Sequence, residues 1–293
     1  MGLRIAVVSP QVSNNGVTTV ASFIALDLAG RGYKVCLTHT HTKSPSMFEY
    51  FGLDEDEKDM TANPARLVKM LRENILKRNE IPEYCRQVND TLDIYSANDA
   101  TFNHDDMLYA LEYIVENFPY DFTVFDVDIA EIDSDANKIV LGKVDFIVVV
   151  MQQSIKEVTT FKQRTKLLIK VVGKKPMLMV INRYHPEIGK AADLAAAAGI
   201  SHLSKNSSWL YLSENPYISK YENKGNIQGL YRAMKTNDAR IINISSEVRN
   251  IGNRILKYRS AKRVGRLEQI GAISKEDTEK ASDEKGETTE TKE

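Results

Sequence analysis

Residues 4–29 read RIAVVSPQVSNNGVTTVASFIALDLA, and this segment is the most informative part of the sequence about the fold. The β-branched run at residues 4–8 predicts a short buried strand, and a polar loop follows it. From residue 18 to residue 29 apolar side chains recur at helical spacing, and Gly30 marks the end of the predicted helix. Residues 34–38 (KVCLT) then form a second predicted strand. A β-α-β unit of this length implies a parallel sheet.

Further predicted elements alternate in the same way along the chain. Three nearly continuous apolar runs, at residues 122–126, 146–151 and 177–182, are typical of strands that are covered on both faces. The other predicted elements are a short strand at 92–95 and helices at 64–78, 105–116 and 158–172. Together these elements predict an α/β domain with a doubly wound, mainly parallel sheet flanked by helices.

The composition limits the class of protein. Lys and Arg number 39 while Asp and Glu number 40, so the net charge of −1 gives no whole-molecule attraction to a polyanion. Cys36 and Cys85 are far apart in sequence and form no CxxC pair, which excludes a cysteine-rich zinc site and a disulfide scaffold. No apolar run reaches the roughly 20 residues of a spanning helix, and no signal peptide is predicted. We therefore expect a cytoplasmic protein whose membrane contact, if any, is peripheral.

The loop after the first strand is the candidate functional site. A helix N-terminus in this position presents free backbone N–H groups and the positive end of the helix dipole, and both attract phosphate. Residues 11–19 (QVSNNGVTT) are therefore a candidate phosphate-binding loop. Two interpretations stay open: the loop binds a nucleotide, or residues 14–16 are only a turn that caps the helix, with Thr18 and Thr19 as ordinary first-turn residues.

Residues 11–19, together with the helix after them, resemble the deviant Walker A region of the ParA/MinD family of P-loop ATPases. In that family the loop reads Lys-Gly-Gly-x-Gly-Lys-Thr-Thr. Aligning its two threonines with Thr18 and Thr19 places Val12 and Val17 at the two lysines.

The resemblance continues over residues 3–257. Residues 120–126 (YDFTVFD) resemble the family's strand that ends in the Walker B aspartate, and residues 144–150 resemble the strand two steps later. Asn182 stands where a family asparagine touches adenine. The order of these elements predicts the ParA/MinD-type fold more specifically than any single motif.

The resemblance also implies a set of site residues and cofactors. Thr18 would be a ligand of Mg²⁺ and Asp126 its partner, with ATP as the nucleotide. The residues implied to contact the nucleotide are Ser13, Asn14, Asn15, Gly16, Val17, Thr18, Thr19, Asp126 and Asn182.

Several family residues that serve hydrolysis are replaced in this chain. Both lysines are absent, and the family's Asp-x-Asp pair at the end of the second strand reads His39-Thr40-His41. Phosphoryl transfer depends on positioning and charge neutralisation, so we expect no efficient ATP hydrolysis and assign no catalytic residue. His39 and His41 would point to the same face of a strand and could share a metal; alternatively they are two polar residues at a site mouth that no longer needs carboxylates.

Within the family, the TadZ/CpaE branch resembles this chain best, because that branch is known for atypical Walker loops. Its members also have a strand similar to residues 92–97 (LDIYSA). This resemblance implies a homodimeric localisation or assembly scaffold for a pilus or secretion system, which responds to nucleotide if the loop still binds it. Two alternatives stay open: a ParA-like plasmid or chromosome partition protein that binds DNA, and a MinD-like membrane-associated regulator at the membrane or cell pole.

The C-terminal segment differs in composition from the rest of the chain. Its cations, with no acidic residue among them, are Arg254, Lys257, Arg259, Lys262, Arg263 and Arg266. They fit a solvated helix face, which we favour, but also a DNA-contacting patch or a helix at an anionic membrane. The predicted organisation is a ParA/MinD-like domain over residues 1–257, a basic helical extension over 258–274 and a disordered acidic tail over 275–293.

Overall fold

The structure is a computed structural model. It describes residues 2–10, 15–41, 46–53, 64–96, 104–127, 134–153, 155–190, 193–194, 196, 209–236 and 238–269. The chain divides into two compact units, Met1–Asn250 and Ile251–Glu293. The acidic tail predicted over residues 275–293 lies outside the described residues.

The helices and strands alternate through most of the first unit. The strands are β1 Leu3–Val8, β2 Val35–His39, β3 Arg86–Asn89, β4 Leu92–Ile94, β5 Phe122–Asp126, β6 Phe146–Gln152, β7 Met177–Tyr184 and β8 Trp209–Ser213. The α-helices are α1 Val17–Gly30, α2 Ser46–Phe51, α3 Pro64–Arg72, α4 His104–Asn117, α5 Asp135–Lys143, α6 Ile155–Val172, α7 Pro216–Glu222, α8 Ile227–Met234 and α9 Ile242–Gln269. A 3₁₀ helix spans Arg78–Tyr84.

The described strands form one sheet in the order β3-β4-β2-β5-β1-β6-β7-β8. Every neighbouring pair is parallel except β3 and β4, which are antiparallel. The strand order runs outward in both directions from β1, so the sheet is doubly wound. The prediction of a doubly wound, mainly parallel sheet flanked by helices is confirmed.

The core lies on both faces of the central strands. All five residues of β5 are buried, and so are the first six of β6, because helices cover the sheet on both sides. Helix α1 is buried along nearly its whole length. The end of α1 that faces the loop is therefore held rigidly at the centre of the sheet.

One predicted helix is shorter than its sequence pattern indicated. The pattern predicted a helix over residues 64–78, but α3 ends at Arg72. Asn74 adopts a left-handed conformation with φ of 54°, and the Ile75 N–H donates to the Met70 carbonyl while the Asn74 N–H donates to the Leu71 carbonyl. These two bonds close a Schellman motif, which ends the helix although apolar residues continue beyond it.

The carboxyl-terminal helix α9 is continuous from Ile242 to Gln269, and so includes residues on both sides of position 257. Among the described residues, no helix combines the length and the apolar character that crossing a membrane requires.

Candidate nucleotide site

The candidate site lies where the carboxyl ends of the central parallel strands meet the N-terminus of α1. Asp126, the last residue of β5, is in register with Val7 of β1 on one side and with His39 of β2 on the other. In doubly wound sheets ligands bind at this edge, where the strand order reverses. The fold therefore brings together residues from three strands and one helix at the expected place.

The N-terminus of α1 is shaped by a glycine. Gly16 has φ of 74° and ψ of 33°, a conformation that side chains rarely adopt, and a Cβ atom at this position would collide with Nδ2 of Asn182. That Nδ2 atom donates a hydrogen bond of 2.9 Å to the carbonyl oxygen of Asn15. Asn182 thus holds the end of the loop against the carboxyl end of β7.

The first turn of α1 offers backbone donors. The first intrahelical bond runs from the Val20 N–H to the Gly16 carbonyl, so the N–H groups of residues 17–19 have no acceptor within their own helix. No side chain caps the helix at Gly16, and its first turn contains no acidic residue. These N–H groups and the positive end of the helix dipole favour an anionic ligand.

Asp126 is the most deeply buried ionisable group of the site, with 1% of the residue exposed. Its Oδ2 accepts a hydrogen bond of 2.7 Å from Oγ1 of Thr18 and lies 3.4 Å from Nε2 of His41. Its Oδ1 is also buried and has no hydrogen-bond partner among the described residues. A buried carboxylate oxygen without a donor is costly, so Oδ1 is suited to accept a hydrogen bond from a bound ligand.

The residues at this point fit a magnesium ion. A threonine hydroxyl and a carboxylate are oxygen donors, and Mg²⁺ is usually held by one or two such groups while waters and phosphate oxygens complete its coordination. The described residues contain no group of three or more His, Cys, Asp or Glu side chains that could hold a metal ion. An ion at Thr18 and Asp126 would therefore depend on phosphate and water as well.

The two histidines at the end of β2 have different partners. His39 is buried, and its Nε2 lies 2.7 Å from Oγ of Ser96, whereas His41 faces Asp126. Their ring centroids are 5.7 Å apart. The intervening Thr40 donates its N–H to the carbonyl of Asp126, so the end of β2 stays paired with β5. The two histidines thus have different neighbours, one a serine hydroxyl and the other the Asp126 carboxylate.

A cavity of about 480 Å³ adjoins the first turn of α1. It lies at the carboxyl ends of β7 and β8 and beneath α7. The residues that line it are Thr19, Asn182, Arg183, Ser213, Glu214, Asn215, Pro216, Ile218, Ser219 and Glu222. Its volume is in the range of small-molecule sites.

Thr19 connects this cavity to two other helices. Its Oγ1 donates a hydrogen bond of 2.6 Å to Oε1 of Glu222, at the end of α7, and lies 3.1 Å from the hydroxyl of Tyr50 in α2. Burial and the Glu222 carboxylate raise the pKa of Tyr50. The Tyr50 hydroxyl is therefore neutral over the physiological pH range.

Comparison with known proteins supports the fold. No protein-family model and no curated protein matches the sequence. A ParA-family ATPase from Chlorobium tepidum TLS matches with a TM-score of 0.65 and 14% identity, over 86% of this chain and 99% of that one. A putative plasmid partition protein from Borrelia burgdorferi B31 bound to AMPPNP gives 0.61 and 17%, over 88% and 100%. The septum site-determining protein MinD from Pyrococcus horikoshii OT3, complexed with Mg-ADP, gives 0.58 and 18%, over 85% and 96%.

The fold is that of the ParA and MinD ATPases. At these identities the fold is what the chain shares with these proteins, and the residues of its site have to be judged individually.

Within this ParA/MinD fold, the structure brings six of the predicted site residues to one edge of the sheet: Asn15, Gly16, Thr18, Thr19, Asp126 and Asn182. Ser13 and Asn14 lie outside the described residues. The side chain of Val17 is buried, with 7% of the residue exposed.

Most of the cavity lining was not predicted from the sequence. Only Thr19 and Asn182 of the lining residues were predicted, because no strand or helix was predicted between residues 183 and 250. One signal was available: Asn215 followed by Pro216 is a typical helix start, and Asn215 does cap α7 by accepting a hydrogen bond from the Tyr217 N–H.

The predicted basic residues lie on α9. Arg254, Lys257 and Arg263 are exposed, whereas Arg259 and Lys262 are half-buried. The side chain of Arg266 lies outside the described residues.

Proposed function

We propose that this protein is a nucleotide-responsive scaffold, which binds an adenine nucleotide with Mg²⁺ at the N-terminus of α1 and hydrolyses it poorly. The observation that carries the proposal is the contact between Thr18 and the buried Asp126. A hydroxyl and a carboxylate placed together at the N-terminus of the central helix are what a Mg²⁺-phosphate group needs.

The roles of the residues follow from their positions. The N–H groups of residues 17–19 would bind phosphate oxygens, and Thr18 and Asp126 would hold the metal ion. The ion, when bound, would neutralise part of the phosphate charge. Asn182, which donates a hydrogen bond to the Asn15 carbonyl and packs against Gly16, would keep the loop in its binding conformation. The nucleoside would lie in the adjoining cavity, into which Thr19 opens.

Two replacements support poor hydrolysis. Val17 is a buried apolar side chain at the position of the family lysine, so it provides no positive charge for the transferred phosphoryl group. His41 approaches Asp126 from the position where the family has a carboxylate. We therefore assign no catalytic residue, and binding alone would change the state of the protein.

Nucleotide binding would promote assembly of the protein with itself and with partner proteins. We propose a homodimer that localises or organises a pilus or secretion system, similar to the TadZ/CpaE branch, in the cytoplasm and at the membrane or cell pole. This assignment is supported by the altered loop and by the retained Thr18–Asp126 contact.

A ParA-like partition protein is the second candidate, because Arg254, Lys257 and Arg263 of α9 are exposed and could contact DNA phosphates. Strong, salt-sensitive DNA binding would favour this candidate over the scaffold. Retention on anionic vesicles, lost when the chain is truncated before Arg254, would instead favour a MinD-like membrane regulator.

The proposal is tested by calorimetric titration of the full chain with ADP and with a non-hydrolysable ATP analogue, with and without Mg²⁺, while light scattering reports the mass. We expect Mg²⁺-dependent binding and a shift from monomer to dimer. Thr18→Val should remove the Mg²⁺ dependence. Thr91→Val is the matched control, because the Thr91 hydroxyl bonds to the Ala29 carbonyl outside the site. If the wild type binds neither nucleotide, the proposal is wrong.

A further inference from the structure

Helix α7 places a carboxylate on the first turn of α1. Glu222 is the last residue of α7, and its Oε1 accepts the hydrogen bond of 2.6 Å from the hydroxyl of Thr19, the third residue of α1. The two residues are 203 positions apart in sequence. Glu222 also lines the cavity beside α1, so its charge faces the space into which a ligand would enter.

The position of Glu222 has an electrostatic reason. The positive end of a helix dipole favours a negative charge nearby, and α1 has neither an acidic residue in its first turn nor a side-chain cap at Gly16. Glu222 supplies that charge from another helix. Its carboxylate thus accepts the hydrogen bond of the Thr19 hydroxyl beside the N–H groups that would attract a phosphate.

The helix that ends at Glu222 is packed closely against its neighbours. Tyr50 of α2 lies against the same Thr19 hydroxyl that Glu222 contacts. Just after α2, a Cβ atom on Gly52 would lie 2.5 Å from the carbonyl oxygen of Gly225, in the turn that follows α7, and both glycines have positive φ. The chain just after α2 thus approaches the turn after α7 as closely as two glycines allow.

We infer that Glu222 sets the charge of the ligand that this cleft accepts, by occupying the place of the phosphate group nearest the nucleoside. The inference rests on the proposed nucleotide site. A phosphate beside Thr19 would meet a like charge and would have to displace the Glu222–Thr19 hydrogen bond. An uncharged nucleoside in the cavity would meet neither obstacle. Glu222 therefore lowers the affinity for nucleotides while leaving the affinity for the nucleoside unchanged.

The experiment compares Glu222→Gln with the wild type in calorimetric titrations with ADP, AMP and adenosine in the presence of Mg²⁺. Glutamine keeps an acceptor for the Thr19 hydroxyl and removes only the charge. We expect ADP and AMP to bind about tenfold more tightly, because one like charge beside the phosphate is removed, and adenosine to bind as before.

Glu214→Gln is the matched control. It removes the same charge from the same cavity, but Glu214 is exposed and its charge is screened, so we expect less than about a threefold change. Glu222→Ala serves as the second charge-removing variant if Glu222→Gln unfolds. It should show the same preference for nucleotide over adenosine.

The outcomes separate the two proposals. If the wild type binds ADP and both Glu222 variants bind it equally well or more weakly, the inference is wrong and the nucleotide site stands. If adenosine affinity changes as much as ADP affinity, Glu222 acts on the fold or the nucleoside, and the inference is again wrong. If neither the wild type nor any variant binds ADP or AMP, both proposals are wrong.

Discussion

Replacing Gly16 by alanine should destabilise the protein by about 2–3 kcal/mol, through two separable effects. The first is backbone strain: φ of 74° in an alanine costs about 1–2 kcal/mol. The second is steric, because the new Cβ would collide with Nδ2 of Asn182. Asn182 would have to turn away and would lose its hydrogen bond to the Asn15 carbonyl, which costs about another 1 kcal/mol in this buried position.

Two other glycines serve as references, one with the backbone strain alone and one with neither effect. Gly32 has φ of 87° and open space around its Cβ position, so Gly32→Ala should show the backbone strain alone. Gly142 lies in α5 with open space and without positive φ, so Gly142→Ala should stabilise the protein by about 0.5–1 kcal/mol. Urea unfolding followed by circular dichroism gives the free energy of unfolding for each variant.

A double-mutant cycle with Asn182→Ala completes the experiment. With the amide removed, the collision disappears, and Gly16→Ala in the Asn182→Ala background should cost only the backbone strain, as in Gly32→Ala. The reasoning is refuted if Gly16→Ala costs less than Gly32→Ala, or if its cost is the same with and without Asn182. Nucleotide titration of the same variants would show whether the loop must keep this conformation to bind.

Three further predictions concern stability. Burial raises the pKa of Glu247 above its ordinary value of 4.5, so the contribution of this carboxyl group to folding is greatest below pH 4.5 and is lost as the pH rises through the raised pKa. The stability of the wild type relative to Glu247→Gln, measured by urea unfolding at several pH values, should therefore fall as the pH rises above about 4.5. Asp145→Asn should lower the free energy of unfolding by about 2 kcal/mol, because Asp145 makes a bidentate, half-buried ion pair with Arg4 and raises the pKa of that arginine. Lys138→Gln, in an exposed ion pair, should lower it by less than about 0.5 kcal/mol in thermal unfolding, and equal costs for the two variants would contradict this. Because φ at Asn74 is positive, Asn74→Ala should destabilise the protein by about 1 kcal/mol, whereas Asn74→Gly should leave its stability unchanged or raise it. The midpoint of urea unfolding measures both effects, and a stabilising Asn74→Ala would contradict the prediction.

The strands of the central sheet could be predicted because their local pattern is unambiguous. Strands β5, β6 and β7 are buried on both faces, and a buried parallel strand has to be a short, nearly continuous apolar run. The edge strand β8 was not predicted, although residues 209–212 (WLYL) form a short apolar run; most of its residues are only half-buried, as is typical of an edge strand. The end of α3 was missed for a different reason: apolar spacing continued past Asn74, while a left-handed conformation at Asn74 ended the helix.

The amino-acid pattern alone predicted the central strands and helices in their order along the chain, and the place of the loop at the first strand–helix junction. Local periodicity and turn residues determine these features, because each depends on neighbours within a few positions. That Thr18 and Asp126, 108 positions apart, belong to one site was indicated only by the resemblance to the ParA/MinD family.

The surroundings of that loop depend on the tertiary structure. The hydrogen bond from Thr19 to Glu222, the approach of His41 to Asp126, and the support of Asn15 by Asn182 join residues from separate elements. None of these contacts has a signature in the local pattern, because each exists only after the strand order has brought the elements to the same edge of the sheet. The charge of the candidate site is thus set by side chains that arrive from distant parts of the chain.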